Sequence, residues 1–97
     1  MYVSVITNFS NGMAMVYDEI RITTQREINV CEGAIKKLEK VIGAMEKKYN
    51  KTSIDFLQNF DPYAYPSNGE LIRWHDSCYA LKQWKERLSA HWQIMNM

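Results

Sequence analysis

The sequence has no apolar run long enough to cross a bilayer. A membrane-spanning helix needs about 18 or more consecutive apolar residues, and no stretch of this chain approaches that length. The first ten residues also lack the basic segment and the long apolar core of a secretory signal. We therefore expect a cytoplasmic protein that does not enter the membrane.

Cysteine is scarce, and the common metal-binding patterns are missing. The chain has two cysteines, Cys31 and Cys78, and no CxxC or HxxxH pair. His75 and Cys78 are three residues apart and could supply two zinc ligands from one helix, whereas a structural zinc site needs four. Both cysteines fall on apolar helix positions, where a free thiol behaves as a small hydrophobic residue. The sequence predicts reduced, packed cysteines and neither a metal site nor a cofactor.

A strong net charge is missing as well. The 12 basic and 11 acidic residues give a net charge of +1, whereas proteins dedicated to nucleic acids carry a clustered basic face. Six lysines lie between residues 32 and 51, but three glutamates are mixed in with them. Such a mixture is typical of a solvated helix face. Direct nucleic-acid binding is therefore not expected.

The sequence does contain two regular apolar repeats of the kind that packs one helix along another. In both repeats, apolar residues alternate at steps of three and four, which places them on one face of a helix. The second repeat is interrupted by Lys85 and widened by Trp84. The first repeat is Ile28, Cys31, Ile35, Leu38, Ile42, Met45 and Tyr49, and the second is Leu71, Trp74, Cys78, Leu81, Leu88, Trp92 and Met95.

Signals around these repeats predict three helices. Asn50 suits the end of the first helix, and Thr52 with Asp55 is typical of the N-cap of a short second one. The loop that follows contains both prolines, and Ser67 with Glu70 matches a capping box for the last helix. We expect the short helix to fold over the end of a hairpin and close its core. The predicted helices span about residues 13–49, 53–59 and 70–95.

The first twelve residues are predicted to form a separate N-terminal arm. Residues 2–9 show the alternation of a strand, and the Asn, Ser and Gly residues at 8–12 are helix breakers. A lone strand needs a partner from another chain, so the arm is either extended or a strand paired elsewhere. The predicted fold is all-α: an arm at 1–12 and, at 13–97, a long antiparallel helical hairpin with a short connecting helix.

The two long helices are predicted to differ in length, and the excess is apolar. Aligned at the connection, the last helix covers the first one only from about Thr24 onward, and residues 13–23 project beyond it. A strict seven-residue register places Arg21 on the apolar face, so we expect the repeat to weaken there. Exposed apolar surface of this size usually marks a binding site, and methionine suits adaptable surfaces. The predicted partner-binding residues are Met13, Met15, Val16, Tyr17 and Ile20.

One pair of residues on the last helix resembles an active site. Arg87 and His91 are similar to the Arg…His pair of the HEPN family of helical ribonucleases, in which both side chains serve the active site of a dimer. The spacing here is shorter than in that family, and an i, i+4 pair also fits a solvent-exposed helix face. The sequence therefore favours a protein that is not an enzyme, with a HEPN-like ribonuclease as an alternative.

Two segments carry motifs of a known kind of hairpin. Residues 47–57 are similar to a KKYG-x-[ST]-x-x-x-FL junction, and residues 74–88 follow W-x(6)-L-x-x-W-x-x-R-L. Both motifs resemble those of small helical-hairpin proteins of bacteria and archaea that look like antitoxins and are encoded beside small toxin genes. The resemblance spans roughly residues 28 to 92. It implies a non-catalytic protein that binds and neutralises a toxin.

The sequence thus predicts a protein-binding module that neutralises a partner protein through an apolar helix surface. Self-assembly is the alternative left open, because a two-helix hairpin has a thin core that a second copy would thicken. In that alternative, two hairpins pair as a dimer and form a four-helix bundle through the same projecting residues.

Overall fold

The computed structural model describes residues 5–61, 63–64 and 69–96, with side chains from residue 16 onward. It contains three helices: α1 (Val5–Tyr49), α2 (Ser53–Gln58) and α3 (Gly69–Met95). The two long helices, α1 and α3, pack against each other, and α2 lies in the connection between them. The chain is therefore a helical hairpin, as predicted, and the described residues include no strand.

The chain passes from α1 to α2 through two helix caps. Asn50 has a φ of 50°, in the left-handed region, and the Lys51 amide donates to the Glu46 carbonyl oxygen at 3.1 Å. This combination is the Schellman motif that ends many helices. The hydroxyl oxygen of Thr52 then accepts from the Asp55 amide at 3.2 Å and caps α2. Both caps are confirmed at the predicted residues.

The apolar repeat of α1 faces α3, and we call this stripe the seam of α1. Ile28, Cys31 and Ile42 are buried, and the other members up to Met45 are half-buried. Tyr49, at the end of the helix, is exposed at its edge. The predicted face of α1 is therefore confirmed.

The stripe of α3 that faces α1 differs from the predicted one by one residue at several turns. Ser77 is buried while Cys78 is half-buried, and Trp84 is half-buried while Lys85 is exposed. Because burying an unpaired ammonium group is costly, a stripe displaced by one residue is favoured: it leaves Lys85 in solvent. There its ammonium nitrogen lies 3.8 Å from a carboxylate oxygen of Glu39 on α1.

The core is centred on the connecting end of the hairpin, where one residue from each helix is buried: Ile42, Phe56 and Trp74. The rings of Phe56 and Trp74 are parallel, with centroids 3.9 Å apart. The Trp74 indole N–H donates to the Ser53 hydroxyl at 2.9 Å, so the only polar atom of that ring is satisfied. As predicted, α2 folds over the end of the hairpin and closes its core.

The start of α1 corrects the predicted N-terminal arm. Residues 5–12 are the first residues of α1, so no helix boundary lies after residue 12. Residues 2–4 of the predicted arm lie outside the described residues. The physical reason is that Asn, Ser and Gly each disfavour a helix by only about 0.5–1 kcal/mol. Only proline would force a break, and both prolines of this chain come after α2.

The two long helices differ in length by more than predicted. α1 has 45 residues and α3 has 27, which corresponds to lengths of about 67 and 40 Å at 1.5 Å per residue. The molecule measures 70 × 23 × 19 Å, so its long axis is that of α1. About 27 Å of α1 therefore extends beyond the end of α3.

Candidate functional site

The cover that α3 provides for α1 ends near Thr24. The side chains of Thr24, Ile28 and Cys31 are 6%, 0% and 0% exposed. On the N-terminal side of Thr24, the side chains of residues 16–23 are all exposed, and we call residues 5–23 of α1 the projecting segment. Its described large apolar side chains are all exposed: Val16 (55%), Tyr17 (59%), Ile20 (44%) and Ile22 (54%).

The seam of α1 continues into the projecting segment. Ile20 lies three residues after Tyr17 and four before Thr24, which in turn is four residues before Ile28. In a straight helix, residues seven positions apart drift around the axis by about 20° per heptad. The two successive steps of four residues, from Ile20 to Thr24 and from Thr24 to Ile28, correct this drift and keep the side chains on one face. Arg21 therefore lies beside the stripe. The weakening at Arg21 stays a prediction, because the side chains of residues 16–23 are exposed on every side of the helix.

The predicted binding residues fall into three groups. Tyr17 and Ile20 lie on the seam, and Val16 lies beside Ile20, one helical turn away. Met13 and Met15 belong to α1, but their side chains lie outside the described residues. The structure therefore brings three of the five predicted residues together on one exposed apolar surface.

An exposed apolar edge that was not predicted from the sequence runs from this surface along the hairpin. Val30 and Val41 are exposed. Val30 is 14 residues after Val16, and Val41 is 11 residues after Val30, and both steps are close to whole numbers of helical turns. All three valines therefore lie on the same side of α1, next to the seam. Ile22 lies about 200° around the helix from Ile20 and belongs to neither stripe.

A polar contact joins the start of α3 to the end of α1 at the connecting end. Glu70, in the first turn of α3, accepts hydrogen bonds from the Lys48 ammonium, with a shortest distance of 2.7 Å, and from the Tyr49 hydroxyl. These two hydrogen bonds lower the pKa of Glu70, and the same bonds raise the pKa of Lys48 and of Tyr49. Because α3 starts beside the end of α1, the length of α3 determines where the cover of α1 ends.

Arg87, one residue of the pair that resembles an active site, packs against Trp84. The Arg87 guanidinium lies over the Trp84 ring, 4.7 Å from its centroid, in a cation–π contact. The depression at this point is lined by both of these residues together with Gln83 and Glu86, and His91 does not line it. The contact with Trp84 gives Arg87 a packing role that needs no substrate.

The cysteines have the surroundings of unreactive thiols. Both are free, Cys31 is buried and Cys78 is half-buried. Burial raises the pKa of each thiol, although the positive charge of Arg87 partly opposes this for Cys31. A nucleophilic cysteine has a lowered pKa, so neither thiol is set up for catalysis. Among the described residues, no three His, Cys, Asp or Glu side chains are grouped so that they could hold a metal ion.

Membrane-spanning helices and similarity to known proteins are two further sources of information about function. None of the helices in the described part of the chain combines the length and the apolar character that a bilayer crossing requires. No family model, curated protein or solved structure matches this chain. The exposed surface around Tyr17 and Ile20 is thus the feature of the molecule from which a function can be argued.

Proposed function

We propose that this chain is a non-catalytic protein-binding module that binds a helix of a partner protein with its projecting segment. The observation that supports the proposal is the change in exposure at Thr24. On one side of Thr24 the seam of α1 is covered by α3, and on the other side Tyr17 and Ile20 continue the same seam in solvent. A partner helix that lies along these side chains would bury them as α3 buries Ile28 and Cys31.

The exposed apolar side chains of this surface can contribute to the energy of binding. Fully burying a large apolar side chain contributes about 1.5–3 kcal/mol, so Val16, Tyr17 and Ile20 together offer roughly 5–9 kcal/mol before the costs of association. Tyr17 is also of a residue type that is enriched among the dominant contacts of protein interfaces. The projecting segment is already helical, which reduces the ordering cost of binding.

We propose further that the partner is a toxin and that binding neutralises it by covering its working surface. This choice rests on the motifs at residues 47–57 and 74–88, which resemble those of antitoxin-like hairpins. A chain that neutralises a toxin by covering its working surface needs no catalytic group of its own. Both cysteines are free, as is usual in a reducing cytoplasm, and we place the protein there.

Co-purification with a tagged chain tests the proposal. The wild-type chain should retain a specific partner, and Tyr17→Glu and Ile20→Glu should lose it, because each places a charge in the apolar contact. Ile54→Glu is the matched control: Ile54 is 70% exposed but lies on α2, away from the projecting segment. It should retain the partner.

A second measurement separates binding from neutralisation. Expression of the purified partner's gene alone should slow growth, and co-expression of the wild-type chain, but not of Ile20→Glu, should restore it. Circular dichroism should show that all variants stay helical. A chain that retains no partner, or an Ile20→Glu variant that still retains it, would show that the projecting segment is not a binding site for another protein.

A further inference from the structure

The end of α3 limits how a partner helix lies on α1. A helix that follows the projecting segment along Tyr17 and Ile20 meets the end of α3 near Thr24, because from there on α3 covers the seam. A partner helix that is longer than the projecting segment therefore has to continue beside α3, on one of the two sides of the hairpin. The residues on the two sides of the seam differ, and they favour one side over the other.

Exposed valines line one side of the seam. Val30 and Val41 are 54% and 38% exposed, and Val16 precedes them in the projecting segment with 55%. At about 100° per residue, the three lie within about 40° of one another around α1, and we call them the valine edge. Ala34 lies on the same side and is half-buried. A partner helix that follows this edge keeps an apolar contact with α1 over about 25 residues, or about 38 Å.

Glutamates line the other side of the seam. Glu32, Glu39 and Glu46 follow one another at steps of seven residues, about 160° around the helix from the valine edge, and we call them the glutamate edge. Glu39 lies 3.8 Å from the Lys85 ammonium, so this side of α1 faces the Lys85 side of α3. Because burying a carboxylate without a partner is costly, a helix that continues past Thr24 is favoured on the valine side.

On the valine side, the two long helices form an open groove. Part of it is a depression of about 400 Å³ between Leu38 of α1 and one side of α3. The α3 residues that line it are about 80° or more around that helix from Lys85, which places the depression on the valine side. Three of them, Gly69, Ser77 and Ala80, have small side chains, so the backbone of another helix can come close.

Basic residues flank this groove on both helices. On α1, Arg26 and Lys37 lie within about 60° of the centre of the valine edge, and neither forms an ion pair with a described residue. On α3, Arg73 lines the depression, and Arg87 lies on the same side of that helix. The other charged residues on this side from Thr24 onward are the ion pair of Lys48 with Glu70 and the acidic residues Glu27 and Asp76. With five basic and three acidic residues, this side of the two long helices carries a net charge of +2.

We infer that the helix of the partner runs from the projecting segment into this groove, and that the part lying there has acidic residues on both sides of an apolar stripe. The apolar stripe contacts Val30, Val41 and the small residues of α3, and the carboxylates lie near Lys37 and Arg73. The inference rests on the proposed function, to which it adds the path and the charge of the partner helix. Opposite charges add specificity and speed to association more than affinity, so the apolar contact supplies most of the binding energy.

Two synthetic helical peptides test the charge of the occupant. Each has about 25 residues with leucine and alanine at steps of three and four, and the positions on both sides of this stripe are glutamate in one peptide and lysine in the other. Fluorescence anisotropy with the full-length chain should show that the acidic peptide binds about tenfold more tightly at low salt, and added salt should reduce the difference. Equal affinities, tighter binding of the lysine peptide, or no binding of either overturns the inference.

Two neighbouring lysines provide a matched pair of variants. Lys37→Glu should weaken binding of the acidic peptide about fivefold, because it replaces an attraction beside the groove with a repulsion. Lys36 is also exposed but lies about 100° around the helix from Lys37, toward the glutamate edge, so Lys36→Glu should bind the peptide as the wild type does. If both variants weaken binding equally, the peptide follows the net charge of the chain and not the groove, which overturns the inference.

Methyl NMR of the valine-labelled chain locates the bound acidic peptide. The signals of Val16, Val30 and Val41 should all shift. Shifts at Val16 alone overturn the inference and leave the proposed function intact, since the projecting segment still binds a helix. Shifts at Val30 and Val41 that persist in Ile20→Glu, with none at Val16, support docking in the groove and overturn the proposed role of the projecting segment.

Discussion

Trp74 is the largest fully buried side chain of the hairpin, and its contacts come from three directions. Phe56 of α2 stacks on its ring, Tyr49 of α1 lies with its centroid 5.7 Å away, and Ser53 accepts from its indole N–H. One residue therefore connects all three helices. In a molecule with so few fully buried side chains, the loss of one large ring affects the whole structure.

We expect Trp74→Ala to lower the free energy of unfolding by about 3–5 kcal/mol, because it leaves a cavity and removes the hydrogen bond to Ser53. Urea unfolding followed by circular dichroism measures this. Tyr79→Ala, an exposed aromatic residue on the same helix, is the control and should change stability by no more than about 0.5 kcal/mol. Equal effects of the two substitutions would contradict the position of the core.

Glu70 shows how a surface carboxylate can link stability to pH. Hydrogen bonds from Lys48 and Tyr49 hold the pKa of Glu70 below its ordinary value of 4.5. A carboxyl group whose pKa is lowered by folding stabilises the folded state above its unfolded pKa, and this contribution is lost as the pH falls through the folded pKa. The contribution of Glu70 should therefore be lost in acid.

The predicted result is that the stability difference between the wild-type chain and Glu70→Gln is largest near neutral pH and disappears as the pH falls below 4.5. Urea midpoints of both proteins across a pH series measure this difference. Added salt at neutral pH should also reduce it, since the ion pair with Lys48 lies at the surface. A difference that persists unchanged in strong acid would show that Glu70 acts through packing and not through its charge.

At the scale of the elements, the end of α1 depends on a single backbone conformation. Asn50 is the one described residue other than glycine with a positive φ, and this conformation allows the Lys51 amide to close the helix. Asparagine tolerates the left-handed region better than most residues, and glycine enters it without strain. The direction in which the chain enters α2 follows from this one turn.

Asn50→Ala should therefore lower the free energy of unfolding by about 1–2 kcal/mol, whereas Asn50→Gly should leave it unchanged or raise it slightly. Both are measured by urea unfolding, and each serves as the control for the other because neither replacement can form side-chain hydrogen bonds. If the two variants lost stability equally, the side chain of Asn50 and not its backbone conformation would be the important feature.

The whole molecule consists of a packed hairpin and a helix that continues beyond it. Among the residues whose side chains are described, the buried ones lie at Thr24 or later in the chain, within the part of α1 that α3 covers and in α2 and α3. The long shape, 70 Å by about 20 Å, follows from the difference in length between α1 and α3. The residues that stabilise the fold are therefore different from the residues that are proposed to bind a partner.

Removal of residues 1–20 tests this separation. The shortened chain should keep the urea midpoint of the full chain, within about 0.5 kcal/mol in free energy, because every side chain described as buried lies at Thr24 or later. It should also lose partner binding. A shortened chain that unfolds, or one that still binds the partner, would show that the hairpin and the projecting segment are not independent.

Much of this architecture follows from the sequence because it depends on local patterns. Apolar residues at steps of three and four define the seam of α1, and Asn50 and Thr52 mark helix ends through their own backbone and side-chain preferences. The projecting segment also follows from the sequence, since it is the difference between two helix lengths. The surface around Tyr17 and Ile20 was predicted on that basis alone.

Other features were decided only by the tertiary structure. The α3 stripe is displaced by one residue at Ser77 and Trp84, because which edge of a helix is buried depends on the surface opposite it and on keeping Lys85 in solvent. The contact of Glu70 with Lys48 and Tyr49 joins residues more than twenty positions apart, which no local pattern reveals. The sequence by itself determined that a helical hairpin forms and that α1 is too long for α3. It also predicted, from the two helix lengths, that the cover of α1 ends near Thr24, where the structure has it. Which edge of α3 faces α1 was decided by the packing of the two helices, because it depends on the surface opposite.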